Sequence, residues 1–165
     1  MQVRPERPED AITIHSLTDT AFKGRPFSDG AEAQVIDQLR ATGALTLSLV
    51  ATQDGEILGH IAFSPVTIDG EAGGWYALGP VSVWRDRQRT GIGQALIREG
   101  LGRLQAIGAG GCVLLGDPAY YARFGFENDP NLRYVGAPPW AFQCLTLSGP
   151  RPRGEVSFHP AFDVS

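Results

Sequence analysis

The sequence predicts a mixed α+β fold, with a mostly antiparallel central sheet and helices on both faces. Three observations carry that prediction. Apolar residues recur at helical spacing as far as Leu39 and at strand spacing from Leu45 onward. Two Asp-Gly pairs, Asp54-Gly55 and Asp69-Gly70, separate three strand-like runs and fold them into an antiparallel meander. One strand–helix–strand segment then follows between residues 75 and 115, which has to be a parallel, right-handed crossover. A length of 165 residues suits a single domain, residues 1–165, able to bury a core without metal or disulfide staples.

The elements follow in order. Residues 3–5 form a short strand. Arg7-Pro8-Glu9-Asp10 starts a helix, with proline at its first position and acids at the positive end of its dipole. Ala11, Ile14, Leu17, Ala21 and Phe22 are its apolar stripe. Gly24 and Pro26 break the pattern, and a second helix begins at Asp29, with Glu32 in capping-box spacing. Val35, Ile36 and Leu39 form its buried face, and Gly43 ends it.

Leu45, Leu47, Leu49 and Ala51 alternate with mostly polar residues, as in a half-buried strand. Residues 57–64 return, and 75–83 make the third long strand. Pro80 has no N–H to give the ladder, so that strand should bulge or lose pairing there. A polar loop, 84–89, leads to a helix over 90–107. The wholly apolar run 112–115 is a central strand. Residues 119–124 form a short helix and 141–147 a late strand, before a tail rich in proline and glycine.

Composition narrows the function classes. A net charge of −4 argues against a general nucleic-acid binder and favours cationic substrates. No apolar run approaches the ~20 residues of a membrane span. The N-terminus has no signal-peptide core, and Cys112 and Cys144 lack metal or redox spacing. A cytoplasmic protein with two buried free thiols, no metal, no nucleic acid and no membrane partner is the expectation.

The sharpest feature is Gln88-Arg89-Thr90-Gly91-Ile92-Gly93-Gln94, set between a strand and a long helix. Glycines let a ligand approach the main chain, and the first helical N–H groups point outward unpaired. A pyrophosphate is the natural ligand of such a site. A P-loop would need Gly-Lys-Ser/Thr, which Gly93-Gln94-Ala95 lacks. A dinucleotide fingerprint would need glycine where Leu96 stands, although Asp117 imitates the ribose acid. A glycine cap without ligand is the third reading.

Gln88-x-x-Gly91-x-Gly93 resembles the Q/R-x-x-G-x-G/A motif of the GNAT N-acetyltransferase superfamily, which binds the pyrophosphate of acetyl-CoA. Leu78-Gly79-Pro80-Val81-Ser82-Val83 is similar to that family's fourth strand, one of the splayed strand pair at the crossover. Gly116-Asp117-Pro118-Ala119-Tyr120-Tyr121-x-Arg123-Phe124-Gly125-Phe126 resembles the corresponding segment of its YhbS-like members, as do Gly59-His60 and Phe63-Ser64-Pro65. The likeness covers residues 2–165. It implies an N-acetyltransferase that moves the acetyl group of acetyl-CoA to a primary amine of a small molecule or peptide. A homodimer is among the assemblies it suggests. A non-catalytic acyl-CoA-binding module is the alternative, and a longer acyl donor is a variant of the enzyme.

The resemblance also implies site residues. Val81, Ser82 and Val83 hold the pantetheine arm, with backbone groups of Val81 and Val83 making the contacts. Gln88, Arg89, Thr90, Gly91, Ile92, Gly93 and Gln94 hold the pyrophosphate. Tyr121, four residues before Gly125, is the candidate general acid: a phenol can donate to the departing thiolate. Tyr120 beside it is expected to pack in the core. The third strand has no carboxylate to serve as general base, which leaves His60 as the candidate, the side chain suited to take a proton near neutral pH. A satisfied core histidine is the competing reading, and a water chain or an amine that arrives neutral would replace the base. Arg85, Arg87 and Arg89 are either attractors of phosphate or a solvated face. Residues 23–29, 69–74 and 131–140 are the expected rims of the acceptor site.

Overall fold

The computed structural model describes residues 1–163; the last two residues of the expected domain span lie outside them. Contacts group the chain into two compact units, each with its own core. The first holds Met1–Ser64, Gly79–Leu101 and the segment from Pro160, and the second holds Pro65–Leu78 and Gly102–His159.

In the first unit, β1 (Gln2–Pro5), β2 (Leu47–Gln53) and the first part of β3 (Glu56–Ile68) pair antiparallel, from Gln2↔Thr52 to Leu47↔Phe63. Asp54 and Gly55 both have positive φ, 53° and 78°, which is what a two-residue hairpin turn demands. A 3-10 turn, Pro8–Asp10, opens α1 (Ala11–Phe22), and α2 (Glu32–Ala41) follows. Ile14, Leu17 and Ile36 pack with Val50, Ile57 and Ala62. Each of the first three is buried to 1% exposure or less, contributing roughly 1.5–3 kcal/mol.

The other face of β3 carries α3 (Ile92–Ala106). Gly59 admits Ile92 and Leu96, and Gly100 admits the Phe63 ring, whose Cε2 would lie 2.4 Å from an added Cβ. Gly59 and Phe63 thus face α3, while His60 and Ala62 face α1 and α2. Helices on both sides explain why β2 is buried from Ser48 through Thr52, where alternation predicted a half-buried strand. The second helix also starts three residues later than expected. The Asp29 carboxylate accepts from Ala31 N at 3.0 Å, and the Ser28 hydroxyl donates to Glu32, so the expected capping box is replaced by a turn.

In the second unit, β4 (Glu71–Val83) runs parallel to β5 (Gly111–Leu115), and β5 pairs antiparallel with β7 (Phe142–Thr146). The turn Asp69-Gly70 again has both φ positive, 52° and 81°. Trp75 is 3% exposed, and its indole fills the space left by Gly110 and Gly111, where an added Cβ would come within 2.7 and 2.3 Å. Trp75, Ala77, Val113, Phe142 and Cys144 share a core with Val66, Leu132 and Val156. The last two bring in strands the sequence did not signal, β6 (Leu132–Arg133) and β8 (Gly154–Ser157), the latter paired with β3 at Thr67↔Ser157. The short helix is split into α4 (Pro118–Tyr121) and a 3-10 turn, Ala122–Phe124. Both cysteines are free and buried. Among the described residues no helix is long and apolar enough to cross a membrane.

Two glycines of α3 separate packing from propensity. Gly100→Ala should cost about 1–3 kcal/mol because the methyl group displaces Phe63. Gly102→Ala, with open space around it, should gain up to about 1 kcal/mol. Urea unfolding of the two variants checks this, and equal effects would refute it.

Candidate active site

The elements around the glycine-rich loop lie in the first unit. β4 ends at Val83, a 3-10 turn covers Arg85–Arg87, and α3 starts at Ile92. Trp84 pins the exit, its Nε1 donating to Ile57 O at 2.9 Å and its N to Leu58 O at 3.2 Å. Arg89 and Gly91 both have left-handed φ, 65° and 89°. That is costly for arginine and is a mark of functional loops. Ala95 N donates to Gly91 O at 3.0 Å. The N–H groups of Ile92, Gly93 and Gln94 therefore precede the first helical acceptor and sit at the positive end of a helix of 15 residues. Ile92 is buried against Gly59, which fixes where those groups stand.

The loop's side chains behave differently from its backbone. Gln88 is turned inward: its Nε2 donates to Val83 O at 3.1 Å and its Oε1 accepts from Arg25 Nη2 at 3.2 Å. Arg85 donates to Thr20 O at 3.2 Å and to Lys23 O, so it meets the end of α1. The Ser82 hydroxyl donates to Thr18 Oγ1 at 3.1 Å in the buried interior, while Val81 and Val83 are only half-buried. Gln88 and Ser82 can therefore serve a cofactor through their main chain only. Arg89, Thr90 and Gly91 are exposed. The hydrogen bonds of Arg25 and Arg85 bridge more than 60 positions, and no local pattern signals them.

In the second unit, the β4–β5 register runs from Trp75↔Gly111 to Ala77↔Val113, whereas β5 stays paired with β7 to Leu115↔Phe142. Beyond Ala77, β4 continues into a cis Gly79–Pro80 bond, and Pro80 has no N–H to donate. Tyr121 closes α4, whose first turn is capped by the Asp117 carboxylate accepting from Ala119 N at 2.9 Å. The Tyr121 ring lies over Gly116, where an added Cβ would stand 2.6 Å from Cε2. Phe126 packs against the same ring at 6.0 Å between centroids. Burial, then the neighbouring Tyr120 and Cys112, push the Tyr121 hydroxyl up to about 12, so it keeps its proton at neutral pH. Tyr120 is half-buried, with the Arg123 guanidinium 4.5 Å above its ring, in place of the core position expected for it.

Residues 45–128 match the model of the acetyltransferase (GNAT) domain. The chain belongs to the GNAT acetyltransferase family. It is 39% identical to the uncharacterized N-acetyltransferase YhbS of Escherichia coli, over 99% of both chains. Among solved structures, a GNAT family acetyltransferase from Brucella melitensis in complex with acetyl-CoA shares 52% identity and a TM-score of 0.89, over 98% of this chain and 97% of that one. E. coli YhbS in complex with CoA shares 37% and a TM-score of 0.90, over 99% and 92%.

A GNAT enzyme must also deal with the proton of its amine, and of the two readings of His60 the structure favours the core histidine. His60 is fully buried, its Nε2 is 2.7 Å from Ser48 Oγ, and Ser48 Oγ donates to Glu6 Oε1. Arg40 grips Glu6 with two hydrogen bonds of 2.9 Å. Although its own burial opposes this, Glu6 is held below its usual range by Arg40 and Ser48. An ionised Glu6 only accepts, so Ser48 donates to it and in turn accepts from His60 Nε2–H. The free lone pair is then on Nδ1, which has no hydrogen-bond partner among the described residues. Burial drives the ring's pKa down to about 4, and the Glu6 charge offsets that only in part. The histidine singled out for basicity is thus a neutral, weakly basic residue on the face that packs α1 and α2.

That burial has a pH signature. An unfolded chain binds a proton at His60 below about 6.5, while the folded ring stays neutral to about 4. The stability contribution is complete above pH 6.5 and is lost as the pH falls towards 4, by about 3 kcal/mol in all. Glu6, with its carboxyl held low, adds a further loss at more acid pH. The stability difference between wild type and His60→Gln, from urea unfolding at pH 7.5, 5.5 and 4.5, should shrink as acid is added. A constant difference would refute the desolvated ring.

Proposed function

We propose that the protein transfers the acetyl group of acetyl-CoA to a primary amine of a small molecule or peptide, in the cytoplasm. The observation that carries the reading is the unpaired first turn of α3 behind Gly91, a site for a diphosphate. The Brucella relative's complex with acetyl-CoA and the E. coli relative's complex with CoA support the choice of ligand. The main chain of residues 88–94 takes the diphosphate, and that of Val81 and Val83 takes the pantetheine amides. The Val81 N–H is the donor to the developing oxyanion.

The amine nitrogen attacks the thioester carbon, the C–S bond breaks, and the proton lost by the nitrogen balances the one gained by sulfur. Tyr121 serves the leaving thiolate. With its hydroxyl pushed up to about 12 against a thiol near ~8.5, it keeps its proton and hydrogen-bonds the thiolate. That suits a transition-state donor, because the bond strengthens as charge reaches sulfur. No base at the level of His60 is assigned; the amine enters neutral or passes its proton to water. Residues 23–29 form one wall of the acceptor site, and the net charge of −4 favours cationic acceptors.

Thiol release from acetyl-CoA, with polyamines, aminoglycosides, amino acids and short peptides as acceptors, tests the reading. Release with one acceptor class is the expected outcome. CoA binding without release from any class would leave a non-catalytic acyl-CoA-binding module. With the responding acceptor, Tyr121→Phe should lower kcat by about 10²-fold while CoA affinity from calorimetry stays within about twofold. Unchanged kcat would remove Tyr121 from the acid role.

A further inference from the structure

Gln143 stands on β7 opposite Leu114 and is 1% exposed. Its Nε2 donates to Gly116 O at 2.9 Å and to Ala141 O at 3.4 Å. Its Oε1 is buried and has no hydrogen-bond partner among the described residues. Turning the amide over would bring no relief, because its oxygen would then face two carbonyl oxygens. An unpartnered buried amide oxygen costs stability that an apolar side chain of the same shape would not. A glutamine held at that cost points to a task beyond packing.

The task follows from where Gly116 lies. The β4–β5 register ends at Ala77↔Val113 and the β5–β7 register at Leu115↔Phe142. Gly116 is the next residue. Its N donates to Ala141 O at 3.0 Å, and its O takes the Gln143 side chain, so Gln143 prolongs the hold on the chain after the ladder has ended. Asp117 follows as the cap of α4, and its backbone carbonyl accepts from Tyr121 N at 3.1 Å. A helix of four residues cannot hold itself, so its place is set by the peptide that leads into it. The Tyr121 ring also rests directly on Gly116, with Cε2 2.6 Å and Cδ2 3.1 Å from where a Cβ would stand. Backbone and ring of Tyr121 thus both refer back to the Gly116 peptide.

We propose that Gln143 is a positioning residue that aims the Tyr121 hydroxyl by fixing the Gly116 peptide. The inference rests on the reading of Tyr121 as donor to the leaving thiolate. A hydrogen bond weakens steeply once donor and acceptor fall out of line. A misplacement of about 1 Å in a reacting group can cost about 10²-fold in rate. Without the Gln143 amide the Gly116 carbonyl is free to turn, α4 shifts with it, and the hydroxyl loses its aim. Gln143 takes no proton and gives none; it acts through Tyr121.

The acidity of the bound CoA thiol tests this without a known acceptor. The full chain is kept in excess so that all CoA is bound, and the thiolate absorbance is titrated as a difference from protein alone. A hydrogen bond from Tyr121 favours the thiolate. At a fixed pH below the thiol midpoint, the thiolate-to-thiol ratio should therefore be about tenfold higher in wild type than in Tyr121→Phe. Gln143→Met should lower the wild-type ratio at least about threefold, and in the Tyr121→Phe background it should change nothing. Gln143→Asn, which keeps an amide but draws it back by one methylene, should show the same loss and serves if Gln143→Met misfolds. A wild-type ratio in both variants would overturn the proposal. So would an equal loss with and without the Tyr121 hydroxyl, which would mean that Gln143 acts on the thiol by another route. Equal ratios in wild type and Tyr121→Phe would overturn the acid reading of Tyr121, and failure of CoA to bind the donor reading; either would take this inference with it.

Discussion

The first turn of α3 carries amide groups that its own helix cannot satisfy, and much of the first unit serves to hold them in one place. Gly59 lets Ile92 and Leu96 sit close to β3, and Gly100 lets the helix settle onto Phe63. Trp84 hooks the strand exit onto the carbonyls of Ile57 and Leu58, so the loop starts from a fixed point. Gly91 and Arg89 absorb the reversal in positive φ. A site made of backbone amides costs little reorganisation when an anion arrives, because the dipoles are already aimed.

Charge at this loop is used unlike charge in most anion sites. A cluster of arginines beside a phosphate-binding loop invites direct electrostatic contact. Arg85 instead supports the carbonyl end of α1, and Gln88 joins β4 to Arg25. In the proposed site, anion recognition falls to the main chain. The side chains of Arg85 and Gln88 connect the loop to an element far away in sequence, so the loop and the segment after α1 share one hydrogen-bonded framework within the first unit.

Elements set by local chemistry were legible in the sequence. Both Asp-Gly turns, the apolar stripes of α1 and α3, and the glycine loop each depend on a handful of adjacent residues. What depends on distant neighbours was not. β2 read as half-buried because alternation says nothing of a helix on the other face. β6 and β8 owe their existence to pairing across the second unit and have little pattern of their own. The start of α2 moved because Ser28 and Asp29 make a turn with the residues that follow them. For the site, residue type names the chemistry a side chain can do, and burial and pairing decide how much of it is left. His60 has the right chemistry for a base, yet packing beneath two helices removes its basicity. Gln88 and Ser82 lie within the motif, but their side chains are spent on internal bonds. Burial acts the other way at Tyr121, keeping a donor protonated.

A crystal structure of the chain with CoA bound tests the central claim most directly. The account predicts diphosphate oxygens within about 3.2 Å of main-chain nitrogens among residues 89–94, with the Gln88 amide still on Val83 O and Arg25. Ordered CoA elsewhere, with those nitrogens facing solvent, would contradict it, as would a Gln88 side chain swung out onto the phosphate.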